Sequence, residues 1–325
     1  MKNSSLAKCT LGCVLLWTAG SAFAQVADSP VVVGDQNHSV HIYPTPSLAP
    51  TLPPAGVLLY NGGPIMPTLT TYAIFWLPSR LQNGASTSMS TKYQPVIKNF
   101  LGDYPAHGIA NNSTQYFSSI SGTTTYVKST GGFGGFVVDT NPYPASGCND
   151  GVTGTNCITD AQLQAEISRV MGVKGWTSGL NKMFLVFTSS GEGSCFNGSS
   201  TSCAYTDYCA YHGYFGSTAS PVIYGNMPYA DPTYCSVASQ KFPSGDHFAD
   251  AAVNVTSHEM TEADTDPELN AWQASNGEEI GDLCAWTFGT LSWDTSLANQ
   301  MWNGRFYDLQ LEYDNHTSAC VQLGP

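Results

Sequence analysis

Beyond residue 57, short unbroken apolar runs alternate along the chain with stretches whose apolar residues recur at helical spacing. Residues 70–77 (TTYAIFWL), 133–139, 182–187 (KMFLVF) and 221–227 (PVIYGNM) predict strands, the third a central one. Residues 93–101 and 160–173 space their apolar positions as helices do. Strand then helix, with Gly and Ser clusters between, predicts an α/β (α+β) domain in which a mixed sheet packs on helices. The Gly-rich stretch 131–135 matches neither a P-loop nor a dinucleotide fingerprint and reads as a turn. Residues 25–56 carry six prolines with little periodicity and read as an extended linker, a wrapping arm or a propeptide, leaving 57–325 as one domain.

The most informative segment is 246–263 (DHFADAAVNVTSHEMTEA). Asp246 is placed to cap a helix that stops before Pro267. Phe248, Ala251, Ala252 and Val255 form the apolar stripe of a core-facing helix, and the same period continues into His258, Glu259 and Glu262. Unpaired charges are strongly unfavourable in a core, so a cation belongs beside them. Side chains four apart lie one turn above the other and can chelate one ion. His258 and Glu262 then act as metal ligands, with Glu259 as general base beside a metal-bound water, the geometry of an HExxH zinc helix with Glu in the second ligand position. The competing readings are a metal-free His–Glu–Glu hydrogen-bond cluster, or a helix turned so that these groups meet solvent.

Catalytic zinc sites use three protein ligands and an open position. Glu279 and Asp282 are the best third ligands, because Pro267 permits a chain reversal and Cys284 can anchor the returning segment. Asp264 and Asp266 read instead as turn caps, although Ca²⁺ held by them is an alternative. His212, read as a loop residue, is a further ligand or a transition-state donor. His247 reads as first-turn surface. No G-x-S-x-G elbow offers a serine nucleophile.

Composition adds the compartment. Only 11% of residues are charged, and the formal charge is -13, which excludes duplex nucleic acid and anionic membranes as partners. Residues 1–24, with Lys2 and Lys8, an apolar run and Ala22-Phe23-Ala24, read as a secretory signal peptide. Cleavage there removes Cys9 and Cys13 and leaves eight cysteines, an even number suited to disulfides in an oxidising compartment. Chain order suggests nearest-neighbour pairs: Cys148 with Cys157, Cys195 with Cys203, Cys209 with Cys235 and Cys284 with Cys320. A secreted, extracellular or periplasmic protein is expected.

Tyr60-Asn61-Gly62-Gly63-Pro64-Ile65-Met66, the strand ending in Phe75-Trp76, CAYHGYF at 209–215, SHEMTEADTDPELNAW at 257–272 and EIGDLC at 279–284 together resemble the EXORDIUM-like, or phosphate-induced, protein family. The resemblance runs from about residue 57 to 320. It implies a secreted cell-wall or extracellular protein. Plant relatives carry no established reaction, whereas microbial relatives with the same helix look like zincin-type metallopeptidases. The motif transfers His212, His258, Glu259, Glu262, Glu279 and Asp282. Glu262 stands where a zincin has His, which makes the site more anionic and bears on metal preference.

Two functions follow as expectations. One is a zincin-like, disulfide-stabilised peptidase, with Zn²⁺ as the expected metal, a peptide or protein as substrate, and Glu259 relaying a proton from water to the leaving amine. The other is a non-catalytic extracellular protein that binds cell-wall carbohydrate or a receptor and carries a structural metal closed by protein ligands. A glycosidase using Glu259 and Glu279 is a third expectation, testable by whether they face a sugar-sized groove.

Overall fold

The computed structural model describes residues 31–34, 38–49, 57–291 and 297–324, so the expected signal peptide lies outside the described residues. Seven strands form one mixed sheet: β1 (Val32–Gly34), β2 (Ser39–Pro44), β3 (Leu69–Trp76), β4 (Gly131–Asp139), β5 (Lys182–Phe187), β6 (Tyr208–Ser217) and β7 (Ser220–Met227). Their order is β1-β2-β6-β7-β5-β3-β4. Strands β4, β3, β5 and β7 run parallel, while β7, β6, β2 and β1 pair antiparallel. The helices are α1 (Tyr93–Asp103), α2 (Asp160–Lys174) and α3 (His247–Thr265). Among the described residues, no helix is long and apolar enough to cross a membrane.

Successive strand residues point to opposite faces, and β6 shows what each face meets. Tyr211 donates its hydroxyl to Asp160 of α2, whereas the next residue, His212, lies against Glu259 of α3. Helices α2 and α3 therefore cover opposite faces, and α1 packs beside α3. Helix α2 starts on a capping box between Thr159 and Gln162, and Gly175 closes it in the left-handed conformation. All four nearest-neighbour disulfides are formed.

Two expectations are corrected. The domain does not begin at 57: of the readings for 25–56 the described part fits an arm built into the sheet, where β2 places Val40, Ile42 and Tyr43 in the core. Pro44 and Pro46 fall at and after the end of β2, where a missing N–H does no harm. The GGFGG stretch opens strand β4 and is not a turn. Gly131 has φ +145° and a Cβ there would come within 1.8 Å of the Leu69 carbonyl oxygen, so close strand pairing requires glycine.

A buried carboxyl away from the helix face gives a pH test. Glu192 accepts from Gln82 Nε2 at 2.7 Å, and burial, helped by the charge of Asp150, pushes its pKa up to about 8. The native state keeps a proton that the unfolded chain releases above its ordinary value of 4.5. This contribution to stability is complete below that value and is lost as pH rises through about 8. Glu192→Gln is expected to flatten the decline across that window, worth about 1.4 kcal/mol per pH unit at most. Urea unfolding of both proteins between the two pH values checks it; equal slopes would refute the assignment.

Candidate metal centre

Four chain segments meet at the C-terminal half of α3. Strand β2 brings His41, β6 brings His212, α3 brings His258, Glu259 and Glu262, and the segment before Cys284 brings Glu279 and Asp282. His41 and His212 are direct cross-strand partners, their rings 5.6 Å apart and near parallel. Asp246 caps α3 by accepting the Ala249 N–H. The helix is buried on every side from Ala249 to Thr265, and not along one stripe. Its charged turn consequently has no route to solvent: Glu259, Glu262, Glu279 and all three histidines are 0% exposed and Asp282 is 2%.

His41 Nε2 lies 2.5 Å from Asp282 Oδ2, and its Nδ1 lies 2.9 Å from Glu279 Oε1. His212 Nδ1 lies 3.1 Å from Glu259 Oε2 and 3.6 Å from Glu262 Oε2. His258 Nε2 lies 3.1 Å from Glu262 Oε1 and 3.8 Å from Asp282 Oδ1. Several of these approaches lack hydrogen-bond geometry. His41 Nδ1, His212 Nε2, His258 Nε2, Glu259 Oε1, Glu262 Oε2, both Glu279 oxygens and Asp282 Oδ1 are all buried without a hydrogen-bond partner. Buried polar atoms are normally satisfied, so a set of them converging in one place is the signature of donor atoms suited to a cation.

Electrostatics agree. Burial, then the neighbouring carboxylate Glu262, holds Glu259 well above the usual carboxylate range. Burial with Asp282 beside it does the same to Glu262, and burial dominates at Glu279. Burial drives His212 down and takes His258 to about 3. Only His41 is raised, because Glu279, Asp282 and Glu262 together outweigh its burial. Among the described residues, every ion partner of the four carboxylates is a histidine and none is a lysine or arginine.

The surrounding groups fix the imidazoles. Tyr43 stacks on His258 with centroids 3.7 Å apart and donates its hydroxyl to Gln310 Oε1 at 2.5 Å. Gln310 Nε2 faces His258 Nδ1 at 2.9 Å and donates to the Gly281 carbonyl at 2.9 Å. On the carboxylate side, the Asp282 N–H donates to Glu262 Oε1 at 3.1 Å and the Glu279 N–H to Asp282 Oδ2 at 2.9 Å. A Cβ on Gly281 would stand 2.5 Å from His258 Nδ1. Gly281→Ala is therefore expected to push the carboxylate segment off α3 and weaken metal binding about 10- to 100-fold, the range for groups supporting a ligand shell. A competition titration with a chromophoric chelator measures it, and unchanged affinity would contradict this packing.

All six residues named from the sequence meet here, but the metal-suited groups, His41–Glu262–Asp282 and His212–Glu262–Glu279, contain four of them and leave out His258 and Glu259. Sequence reasoning missed His41. SVHIYP at 39–44 is a run of β-branched and aromatic residues bounded by proline, a strand signal that was present in the segment. His212 lies within β6 and not on a loop. Asp266 accepts the Asn270 and Ala271 N–H groups at 2.6 Å, the expected turn cap, and neither it nor Asp264 belongs to the metal-suited groups among the described residues. Glu259 and Glu279 are both fully enclosed and face no sugar-sized groove of the kind the glycosidase expectation requires. His247 is on the surface at the first turn. No protein-family model, curated protein or solved structure matches the chain.

Proposed function

We propose that the protein is an extracellular, disulfide-stapled binding protein whose buried His–carboxylate cluster is a structural centre for divalent metal. The observation carrying this reading is the complete enclosure of the donor atoms. A catalytic metal keeps a position open to substrate, whereas here seven side chains from four segments close around one another and tie the N-terminal strand to the segment anchored at Cys284. Imidazole with carboxylate suits Zn²⁺ or Mn²⁺ better than Ca²⁺, which prefers an all-oxygen shell. Four disulfides support export to an oxidising compartment. With the EXORDIUM-like motifs, that supports a cell-wall setting in which polymeric carbohydrate is the ligand class.

The second reading is the zincin-like peptidase, favoured by one observation: Glu259 Oε1 is unpartnered beside His212 and one residue from His258. In that reading Glu259 takes the proton from water and delivers it to the leaving amine of a peptide substrate.

One experiment separates the two. Protein passed through gel filtration is expected to retain divalent metal and to leave unfolded casein intact. Casein cleavage that disappears in Glu259→Gln would replace the structural reading with the peptidase, and metal-free protein of full stability would remove both.

A further inference from the structure

We infer that the centre holds a pair of divalent cations, with the Glu262 carboxylate bridging them, in place of a single ion. This rests on the metal-centre reading and deepens it. The donor atoms divide into two groups whose members all lie within 4.8 Å of one another: His41, Glu262 and Asp282 form one, and His212, Glu262 and Glu279 the other. Glu262 is the member they share, and its two oxygens face different ways. Oε1 looks toward His258 and the Asp282 segment, at 3.1 Å from His258 Nε2 and 3.1 Å from the Asp282 N–H. Oε2 looks toward His212 Nδ1 at 3.6 Å. A carboxylate presenting one oxygen to each of two histidine–carboxylate groups is the arrangement that holds paired ions, which sit about 3.5–4 Å apart in two-metal sites.

Unpartnered donor atoms are distributed accordingly. On the first side they are His258 Nε2 and Asp282 Oδ1; on the second they are His212 Nε2, Glu259 Oε1 and Glu279 Oε2, while His41 spans both, its Nε2 2.5 Å from Asp282 Oδ2 and its unpartnered Nδ1 2.9 Å from Glu279 Oε1. Glu262 Oε2 joins them from the shared residue. Each side thus has imidazole and carboxylate donors of its own. Charge points the same way. Glu259, Glu262, Glu279 and Asp282 are four carboxyls in a volume closed to solvent, and with one divalent ion two of them must hold protons or rely on a cationic His41. Two divalent ions balance all four. Mixed nitrogen and oxygen donors at each position favour borderline cations such as Mn²⁺ and Zn²⁺.

The test is metal counting on full-length, disulfide-intact protein, stripped with chelator and reloaded with Mn²⁺ or with Zn²⁺. Elemental analysis is expected to give two ions per chain, and the Mn²⁺ form an exchange-coupled electron paramagnetic resonance signal. One ion per chain with an isolated six-line Mn²⁺ spectrum overturns the pair while leaving the metal centre standing. No bound ion overturns both. Glu262→Gln, which keeps the shape of the bridge and removes its charge, is expected to reduce loading to one ion or none and abolish the coupling, whereas retention of two coupled ions in that variant would refute Glu262 as the bridge. If Glu262→Gln fails to fold, the spectrum and stoichiometry of the unsubstituted protein decide the matter alone.

Discussion

Chelation with EDTA at neutral pH is expected to lower the melting temperature of the disulfide-intact protein by roughly 10 °C, and Zn²⁺ or Mn²⁺ to restore it. A ligand present at a thousand times its dissociation constant stabilises the native state by about 4 kcal/mol, and each kcal/mol moves the melting point of a large domain by about 2–4 °C. The metal-free fold persists, because the sheet core and four disulfides do not depend on the ions. The result should be a displaced transition and not a collapse. His41→Ala is expected to shrink the chelator effect, since it removes a donor that contacts both Glu279 and Asp282. Differential scanning calorimetry with and without chelator is the measurement. Superimposed curves, in protein whose metal content has demonstrably changed, would dismiss the metal centre and everything built on it.

The second large effect is expected from the last disulfide. Cys284–Cys320 closes a separation of 36 residues, and removing such a crosslink costs about 4 kcal/mol through the entropy returned to the unfolded chain. Here it also holds a ligand-bearing segment. Cys284 ends the short helical turn that begins at Asp282, and Cys320 lies in the strand paired with residues 312–314. Within that pair the Tyr313 N–H donates to the Ile280 carbonyl at 3.0 Å, so the turn is held on both sides. The Cys284→Ser/Cys320→Ser double variant is accordingly expected to melt lower and also to lose metal. Replacing Cys148 and Cys157 in the same way should leave the metal in place, because that pair belongs to a separate cysteine cluster that shares no residue with the His–carboxylate groups. Elemental analysis of the two double variants makes the comparison, and equal metal content in both would contradict the anchoring role.

Local signals carried much of the architecture. Residues 182–187 form β5 with the predicted bounds, because a short apolar run is as long as a strand and too short for a helix. The capped helix at 246 was equally legible, since Asp246 and Pro267 mark its two ends. Its surroundings were not: periodicity showed one apolar stripe, while in the fold even Asn254, Thr256 and Thr261 are enclosed, satisfied by Gln310, the Ala252 carbonyl and the Ser257 carbonyl. Polar residues that find partners in the core look like surface residues in a sequence. The strand predicted at 133–139 begins two residues earlier, at Gly131, and its opening was hidden by the glycines. Glycines normally punctuate, and the closeness of the Leu69 carbonyl explains why Gly131 opens β4. His41 illustrates the limit most sharply, because its place in the centre depends on strand pairing with His212, 171 positions away, and on contacts to Glu279 and Asp282 farther still.

That separation has a kinetic consequence. The contact between His41 and Asp282 spans 241 residues, so most of the chain must be threaded into place before the first and last donors meet. Contacts this distant in sequence form late and slowly, after local helices and hairpins. Metal held by this centre would therefore be captured at the end of folding by a nearly finished molecule, and a chain that stops before residue 279, or whose N-terminal strand stays undocked, would have no complete set of donors to offer. Bound metal per chain becomes a count of molecules that have reached the native topology, a readout that separates correctly folded protein from disulfide-bonded material trapped short of it.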